Sequence, residues 1–255
     1  LEINKIIEIV KEAGELFKNR DFDVEEKTSI SDKVTSMDIA VEVFLKENLL
    51  NLLPHSGFLG EESDNHEIDN EYVWVVDPID GTTNFIRDLG ISCISIGLLQ
   101  NGKPIAGFVY NPYKDEMYYA QKGRGAFLNS NKISVSDKSF ENSIYYTSLS
   151  PYTKESTKKC LDIMEEVYSQ ADDMRRLGSA AIELCLLACG RGDLYFELYL
   201  QPWDYAAGAL ILEEAGGYAG TVLDEGFKYN EPIPVLAANS KSNYNKLEKI
   251  VKKHI

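Results

Sequence analysis

Three observations predict an α/β (α+β) protein. Residues 3–53 carry two apolar stripes at helical spacing, residues 57–120 break into short apolar or alternating runs between turn signals, and beyond residue 143 strand-like and helix-like segments alternate. Such alternation implies sheets covered by helices. With 255 residues, 44% of them hydrophobic, the chain can bury a sizeable core without covalent staples.

Ile3, Ile6, Ile7, Val10, Ala13, Leu16 and Phe17 stand among Glu and Lys, which predicts an amphipathic helix over 3–18. A second helix is predicted over 36–53, with Val41, Phe44, Leu45, Leu49 and Leu52 inward and Pro54 ending it. Between them EEKTSISDKVTS (25–36) is polar and aperiodic, either an exposed connector or a flap over a site. Strands are predicted at 58–60, 72–76, 93–99, 105–110 and 117–120 in an antiparallel arrangement, with Asn101-Gly102 as a hairpin turn. The second half predicts strands at 143–148, near Met174, at 193–198 and at 234–238. Helices at 153–168, 179–189, 204–215 and 242–253 separate and follow them. The change of texture near residue 143 divides the chain into parts 1–143 and 144–255 of one unit.

Composition narrows the function. A formal net charge of −15 opposes binding to a nucleic-acid backbone, although local donors or bound cations can still hold a phosphate. No run approaches the ~20 apolar residues of a membrane span, and the N-terminal residues lack a cationic region followed by an apolar core. Cys93, Cys160, Cys185 and Cys189 show no Cys-x-x-Cys spacing and sit in apolar surroundings, which favours reduced thiols and a cytoplasmic setting.

The segment WVVDPIDGTTNF (74–85) ends an apolar run with Asp77 and Asp80. Two such carboxylates repel, and burial worsens the repulsion. Protonation, an Arg or Lys partner, or a metal would relieve it, and the nearest base is Arg87. All-oxygen donors select a hard ion, Mg²⁺ or Mn²⁺, whereas His55, His66 and His254 are too few and scattered for a zinc site. Pro78 holds Asp77 extended, so the two side chains converge at a sharp strand end, and the Ile79 carbonyl becomes a further donor. Gly81-Thr82-Thr83-Asn84 reads as a helix start presenting N–H groups to an anion. Taken alone, the motif also fits a capped turn with Asp80 as helix N-cap.

DPIDGTTNF, together with GEES (60–63), VTSMD (34–38) and WDYAAGALILEEAGG (203–217), resembles the inositol monophosphatase family, in matching order over nearly the whole chain. That superfamily of Mg²⁺-dependent, lithium-sensitive phosphatases also contains fructose-1,6-bisphosphatases and nucleotide 3′-phosphatases. The resemblance implies a layered α-β-α-β-α sandwich, a homodimer, and two to three Mg²⁺ per subunit, with lithium sensitivity. It makes Glu61, Asp77, the Ile79 carbonyl, Asp80 and Asp204 metal ligands, Asp77 shared between two ions, so that both parts of the chain build one catalytic unit.

By the same resemblance Asp38 and Thr82 orient the attacking water, which the ions activate while stabilising the leaving alkoxide. Gly81, Thr82 and Thr83 would meet the phosphate; Ser179, Ala180, Glu197 and the metal-bound Asp80 and Asp204 would face a small phosphorylated polyol or sugar. Lys27 and Asp32 in the flap match positions that help a third, weaker ion. Gln201 departs from the His of many animal relatives. Arg175 and Arg176 could hold a second phosphate, which keeps fructose 1,6-bisphosphate as an alternative substrate. Thr-Asn-Phe after the Gly-Thr disfavours adenosine 3′,5′-bisphosphate, whose hydrolases read Lys-Glu-Phe there. A regulatory interaction protein on a phosphatase fold is the competing class, and it predicts a lost ligand.

Overall fold

The structure, a computed structural model, describes residues 1–27, 33–62, 68–149, 154–223 and 225–255. Helix α1 (Ile3–Glu15) runs on as a 3-10 turn to Lys18 and buries Ile6, Val10, Ala13 and Phe17. The short strands β1 (Val24–Glu26) and β2 (Lys33–Thr35) pair antiparallel. They lead into α2 (Ser36–Leu52), whose start is fixed by a capping box: the Thr35 hydroxyl accepts from the Met37 and Asp38 amides while Asp38 accepts from the Thr35 amide at 2.7 Å.

Seven strands then form one sheet in chain order: β3 (Gly57–Gly60), β4 (Tyr72–Asp80), β5 (Cys93–Gln100), β6 (Lys103–Asn111), β7 (Glu116–Gln121), β8 (Ala126–Leu128) and β9 (Asn131–Ile133). A five-residue helix, α3 (Thr82–Ile86), interrupts them after β4. Asn101 and Gly102 adopt φ of 50° and 71°, the left-handed pair that a tight β5–β6 hairpin needs. The sheet departs from the antiparallel expectation at its edge, where β3 pairs parallel to β4. The long connection between Gly60 and Tyr72 permits this, as a two-residue turn could not.

The second sheet collects β10 (Ile144–Thr147), β11 (Asp173–Arg175), β12 (Leu194–Leu200), β13 (Tyr218–Gly220) and β14 (Ile233–Ala238) in the order β11-β10-β12-β14-β13. Between and after these strands lie α4 (Thr157–Tyr168), α5 (Ala180–Ala188), α6 (Pro202–Glu214) and α7 (Lys241–His254). The expected helix over 153–168 starts at Thr157 after a 3-10 turn, and its first residue lies outside the described residues.

Side-chain alternation sorts the elements into five layers. Trp74, Val76, Ile94, Ile96 and Phe108 face α1 and α2. The opposite face of the same sheet and one face of the second sheet enclose α5 and α6, where Val109, Tyr118, Tyr195, Val235 and Ala237 meet Leu184, Cys185 and Ile211. Leu194, Phe196, Leu236 and Ala238 turn outward onto α4 and α7. This is the expected α-β-α-β-α sandwich. It explains why α5 and α6 are apolar all round, since both of their faces are covered.

The central layer depends on close approach. A Cβ on Gly107 would stand 2.7 Å from the Ala207 carbonyl of α6, and one on Gly97 would stand 3.0 Å from the Ala206 Cβ. Gly107→Ala is therefore expected to destabilise the protein by about 1–3 kcal/mol, read as a lower urea midpoint at unchanged slope. An unchanged midpoint would mean that α6 does not rest on β6 through this contact.

Candidate active site

Asp77 and Asp80 lie three residues apart, so a regular strand would aim them at opposite faces. The register slips between them: Asp77 stands opposite Ser95 and Asp80 opposite Cys93, a bulge of one extra residue. Both carboxylates consequently face the central helices. Strand β4 does not stop at Val76 as expected but continues through Asp80, and the bulge rather than a strand end makes the side chains converge.

Gly81, at φ 89°, is the residue that opens α3, and no side chain caps that helix, so the Asp80 N-cap alternative does not hold. Asp80 instead closes the start of α5. Its Oδ2 accepts from the Ser179 hydroxyl at 2.7 Å and the Ala181 amide at 2.8 Å. Because α3 is little more than one turn, its attraction for an anion rests on opening N–H groups that lack intrahelical partners, not on a long dipole.

Asp204 arrives from the other side of the central layer, in the first turn of α6, where Pro202 begins the helix and the Asp204 Oδ2 accepts from the Gln201 amide at 2.7 Å. Asp77, Asp80 and Asp204 each offer an oxygen within 4.8 Å of the others. Glu61, just past β3, lines the same cavity but stands outside that close group, with the Lys27 ammonium 3.1 Å away. Lys27 also reaches Glu62 at 2.6 Å, and burial of its charge is outweighed by the two carboxylates, so its pKa is raised.

Burial pushes the Asp77 and Asp204 carboxyls well above the usual range, and mutual repulsion among Glu61, Asp77, Asp80 and Asp204 adds to it. Asp80 is raised less, to about 6, because burial is offset by the Ser179 and Ala181 donors. Among the described residues no Lys, Arg or His pairs with Asp77, Asp80 or Asp204. Arg87, the nearest base in sequence, is exposed at the end of α3. A buried, all-oxygen donor set with that much uncompensated charge fits a hard divalent cation.

Asp38 is fully buried, and its Oδ1 lies 3.2 Å from the Thr82 hydroxyl, which also lies 3.1 Å from the Ile79 carbonyl. Thr82, Ile79, Gly81 and Thr83 line the cavity, whereas Asp38 stands behind them and reaches it through Thr82. Burial raises Asp38 to about 6, against the hydrogen bonds from Thr35.

The opposite wall of the cavity, about 680 Å³ in volume, carries Ser179, Ala180, Glu197, Gln201 and Arg176. Ser179 is 1% exposed and donates its hydroxyl to Asp80, so besides lining the cavity it supports a carboxylate. Strand β12 carries its own bulge between Glu197 and Leu200, and the Tyr195 hydroxyl donates to the Glu197 Oε2 at 3.0 Å. Burial raises Glu197 to about 7, opposed by Tyr195, Ser148 and Arg176. Arg175 pairs with Asp173 away from the cavity lining. Asp32, expected with Lys27 to serve a third ion, lies outside the described residues.

The roles of two buried polar residues beside the cavity, Asn84 and Glu183, escaped the sequence reading. Asn84 donates to the carbonyls of Ile91 and Leu177, each at 2.8 Å, and Glu183 accepts from the Leu177 amide at 2.6 Å. The available signal was an acid in the otherwise apolar segment AAIELCLLA.

A profile of the inositol monophosphatase family matches residues 2–255. Inositol monophosphatase 2 of Solanum lycopersicum is 40% identical over 84% of this chain and 85% of its own. The fructose-1,6-bisphosphatase/inositol-1-monophosphatase of Aquifex aeolicus is 33% identical over 99% and 97%. Among solved structures, the extragenic suppressor protein suhB of Bartonella henselae superposes with a TM-score of 0.89 at 32% identity, covering 99% of both chains. Staphylococcus aureus inositol monophosphatase II bound to inositol monophosphate gives 0.82 at 32% identity, covering 100% of this chain and 95% of that one. With the profile spanning the sequence and the fold shared along its length, the chain belongs to the inositol monophosphatase family.

Proposed function

We propose that this phosphatase removes the phosphate of a small polyol or sugar monophosphate, inositol monophosphate before others, with Mg²⁺ as resident ion and Mn²⁺ as a substitute. The observation that carries the reading is the meeting of Asp77, Asp80 and Asp204, from two separate parts of the chain, beside the start of α3. Glu61, Asp77, the Ile79 carbonyl, Asp80 and Asp204 would hold two to three ions, which supply water activation and leaving-group stabilisation.

The chain's own contributions follow from its contacts. With its proton donated to Asp38 or to the Ile79 carbonyl, both within reach, the Thr82 hydroxyl offers lone pairs to the attacking water and fixes its direction. The Gly81, Thr82 and Thr83 segment presents amides to the phosphoryl oxygens, where negative charge concentrates in the transition state. Glu197, buried and held by Tyr195, accepts from substrate hydroxyls. The four free thiols support a reducing, cytoplasmic setting, and no described helix is long and apolar enough to cross a membrane. Lithium inhibition and a homodimer complete the reading by family resemblance.

Phosphate release from inositol 1-phosphate, fructose 1,6-bisphosphate and adenosine 3′,5′-bisphosphate, with and without Mg²⁺, tests the reading. Inositol 1-phosphate is expected to give the highest kcat/KM, and Asp204→Asn to lower it by at least about a hundredfold. No Mg²⁺-dependent release, or an unaffected Asp204→Asn, would overturn it. Preference for fructose 1,6-bisphosphate is the second reading, favoured by the Arg176 guanidinium on the cavity wall and by the similarity to the Aquifex enzyme.

A further inference from the structure

Leu177 and Gly178 form the turn that delivers the chain from β11 to the start of α5, with Gly178 at φ 78°. Two buried side chains grip it from opposite sides. Glu183 is 1% exposed, and its Oε1 accepts from the Leu177 amide at 2.6 Å and the Gly178 amide at 3.3 Å. From α3, the Asn84 amide group donates to the Leu177 carbonyl at 2.8 Å and lies 3.3 Å from that of Gly178. Immediately after this turn come Ser179 and Ala181, the two donors that hold Asp80 Oδ2.

The other oxygen of Glu183, Oε2, is buried with no hydrogen-bond partner, alone in this among the described side chains. Keeping such a group buried without a partner costs stability. Burial, with repulsion from Glu197 and Asp80 beyond it, holds this carboxyl well above the usual range. Glutamine keeps the shape and the acceptor, and methionine fills the volume without the acceptor.

We propose that Glu183 and Asn84 are positioning residues: together they fix both sides of the Leu177–Gly178 turn, and thereby set the direction in which Asp80 presents its carboxylate to a divalent cation. The clamp joins the segment that meets the phosphate, through Asn84, to the segment that aims a metal ligand, through Glu183. It rests on the phosphatase reading for its catalytic readout only.

The test compares Glu183→Gln, Glu183→Met and Asn84→Ala in the full-length protein. Mn²⁺ affinity is measured by calorimetry, exchange of the 177–181 amides by mass spectrometry, and kcat and KM with Mg²⁺ and inositol 1-phosphate. Glu183→Gln is expected to stay within about threefold of the parent in all of them, because the acceptor is kept. Glu183→Met and Asn84→Ala are expected to weaken Mn²⁺ binding and lower kcat by about tenfold or more, change KM less, and speed exchange at 177–181. In the double variant the losses are expected not to add, as for two sides of one clamp.

Parent-like Mn²⁺ affinity in a folded Glu183→Met whose amides exchange quickly would overturn the proposal, as would Glu183→Gln failing as badly as Glu183→Met. Should Glu183→Met not fold, Asn84→Ala decides by the same readouts. A parent that binds Mn²⁺ but releases no phosphate from any substrate defeats the functional reading and leaves the clamp to be judged by affinity and exchange.

Discussion

Asp77→Asn is expected to lower kcat for Mg²⁺-dependent phosphate release by on the order of 10³ while the protein stays folded and its metal-free form becomes more heat-stable. The first effect follows from what the group does. On the proposed reading Asp77 would hold the ions, a bound divalent ion stabilises developing charge by several kcal/mol, and each ~1.4 kcal/mol is a factor of ten in rate. The second follows from the local contacts. Among the described residues, the one hydrogen bond to the Asp77 side chain comes from the Ile79 amide to its Oδ1 at 2.9 Å, and an asparagine carbonyl accepts it equally. Removing one buried carboxylate relieves its repulsion from Glu61, Asp80 and Asp204. Opposite signs in the two measurements distinguish a cation-binding acid from a structural one. Turnover within tenfold of the parent, or a metal-free Tm that falls, would refute the assignment.

The distance from residue string to site was short for some features and long for others. Helices α1 and α7 announced themselves because each has one apolar face toward a sheet and one polar face toward water. Asp77 and Asp80 were legible because acids at the edge of an apolar run are costly and therefore conspicuous, whereas Asp204 was reached only through the resemblance of its segment. Legibility failed where a feature depends on partners remote in sequence. The bulges in β4 and β12 exist only relative to β5 and β14, so the convergence of Asp77 with Asp80 was ascribed to Pro78 alone. Asp80 was offered as the cap of its own following helix, whereas it caps α5, about a hundred residues on. The bond from the Ser179 hydroxyl to Asp80 was not foreseen, because nothing local marks it. Strand β13 was missed altogether, being three residues long and partly buried behind Gly216 and Gly217.

The metal-free protein is expected to lose stability steadily as pH rises from about 5 to 8, and Mg²⁺ to reverse the trend. Asp80 and Glu197 have folded pKa values raised to about 6 and about 7, and those of Asp77 and Asp204 are raised further, all chiefly by burial. Across this window the unfolded chain has already released these protons while the folded chain still holds them. Unfolding free energy therefore falls with rising pH, opposite to the usual behaviour of ion-paired carboxylates. A carboxyl held one pH unit above its unfolded value costs about 1.4 kcal/mol once pH exceeds both, or roughly 3–6 °C in Tm for a chain of this size. Divalent cations bind the deprotonated acids, so their stabilising effect grows over the same interval. Melting curves in EDTA and in excess Mg²⁺ at pH 5.5, 6.5 and 7.5 would show the two sets diverging. Asp77→Asn should flatten the EDTA slope, because it removes the most repelled acid of the cluster. An EDTA curve whose Tm climbs with pH would mean that these carboxylates are compensated within the protein, and that the cavity has no need of a cation.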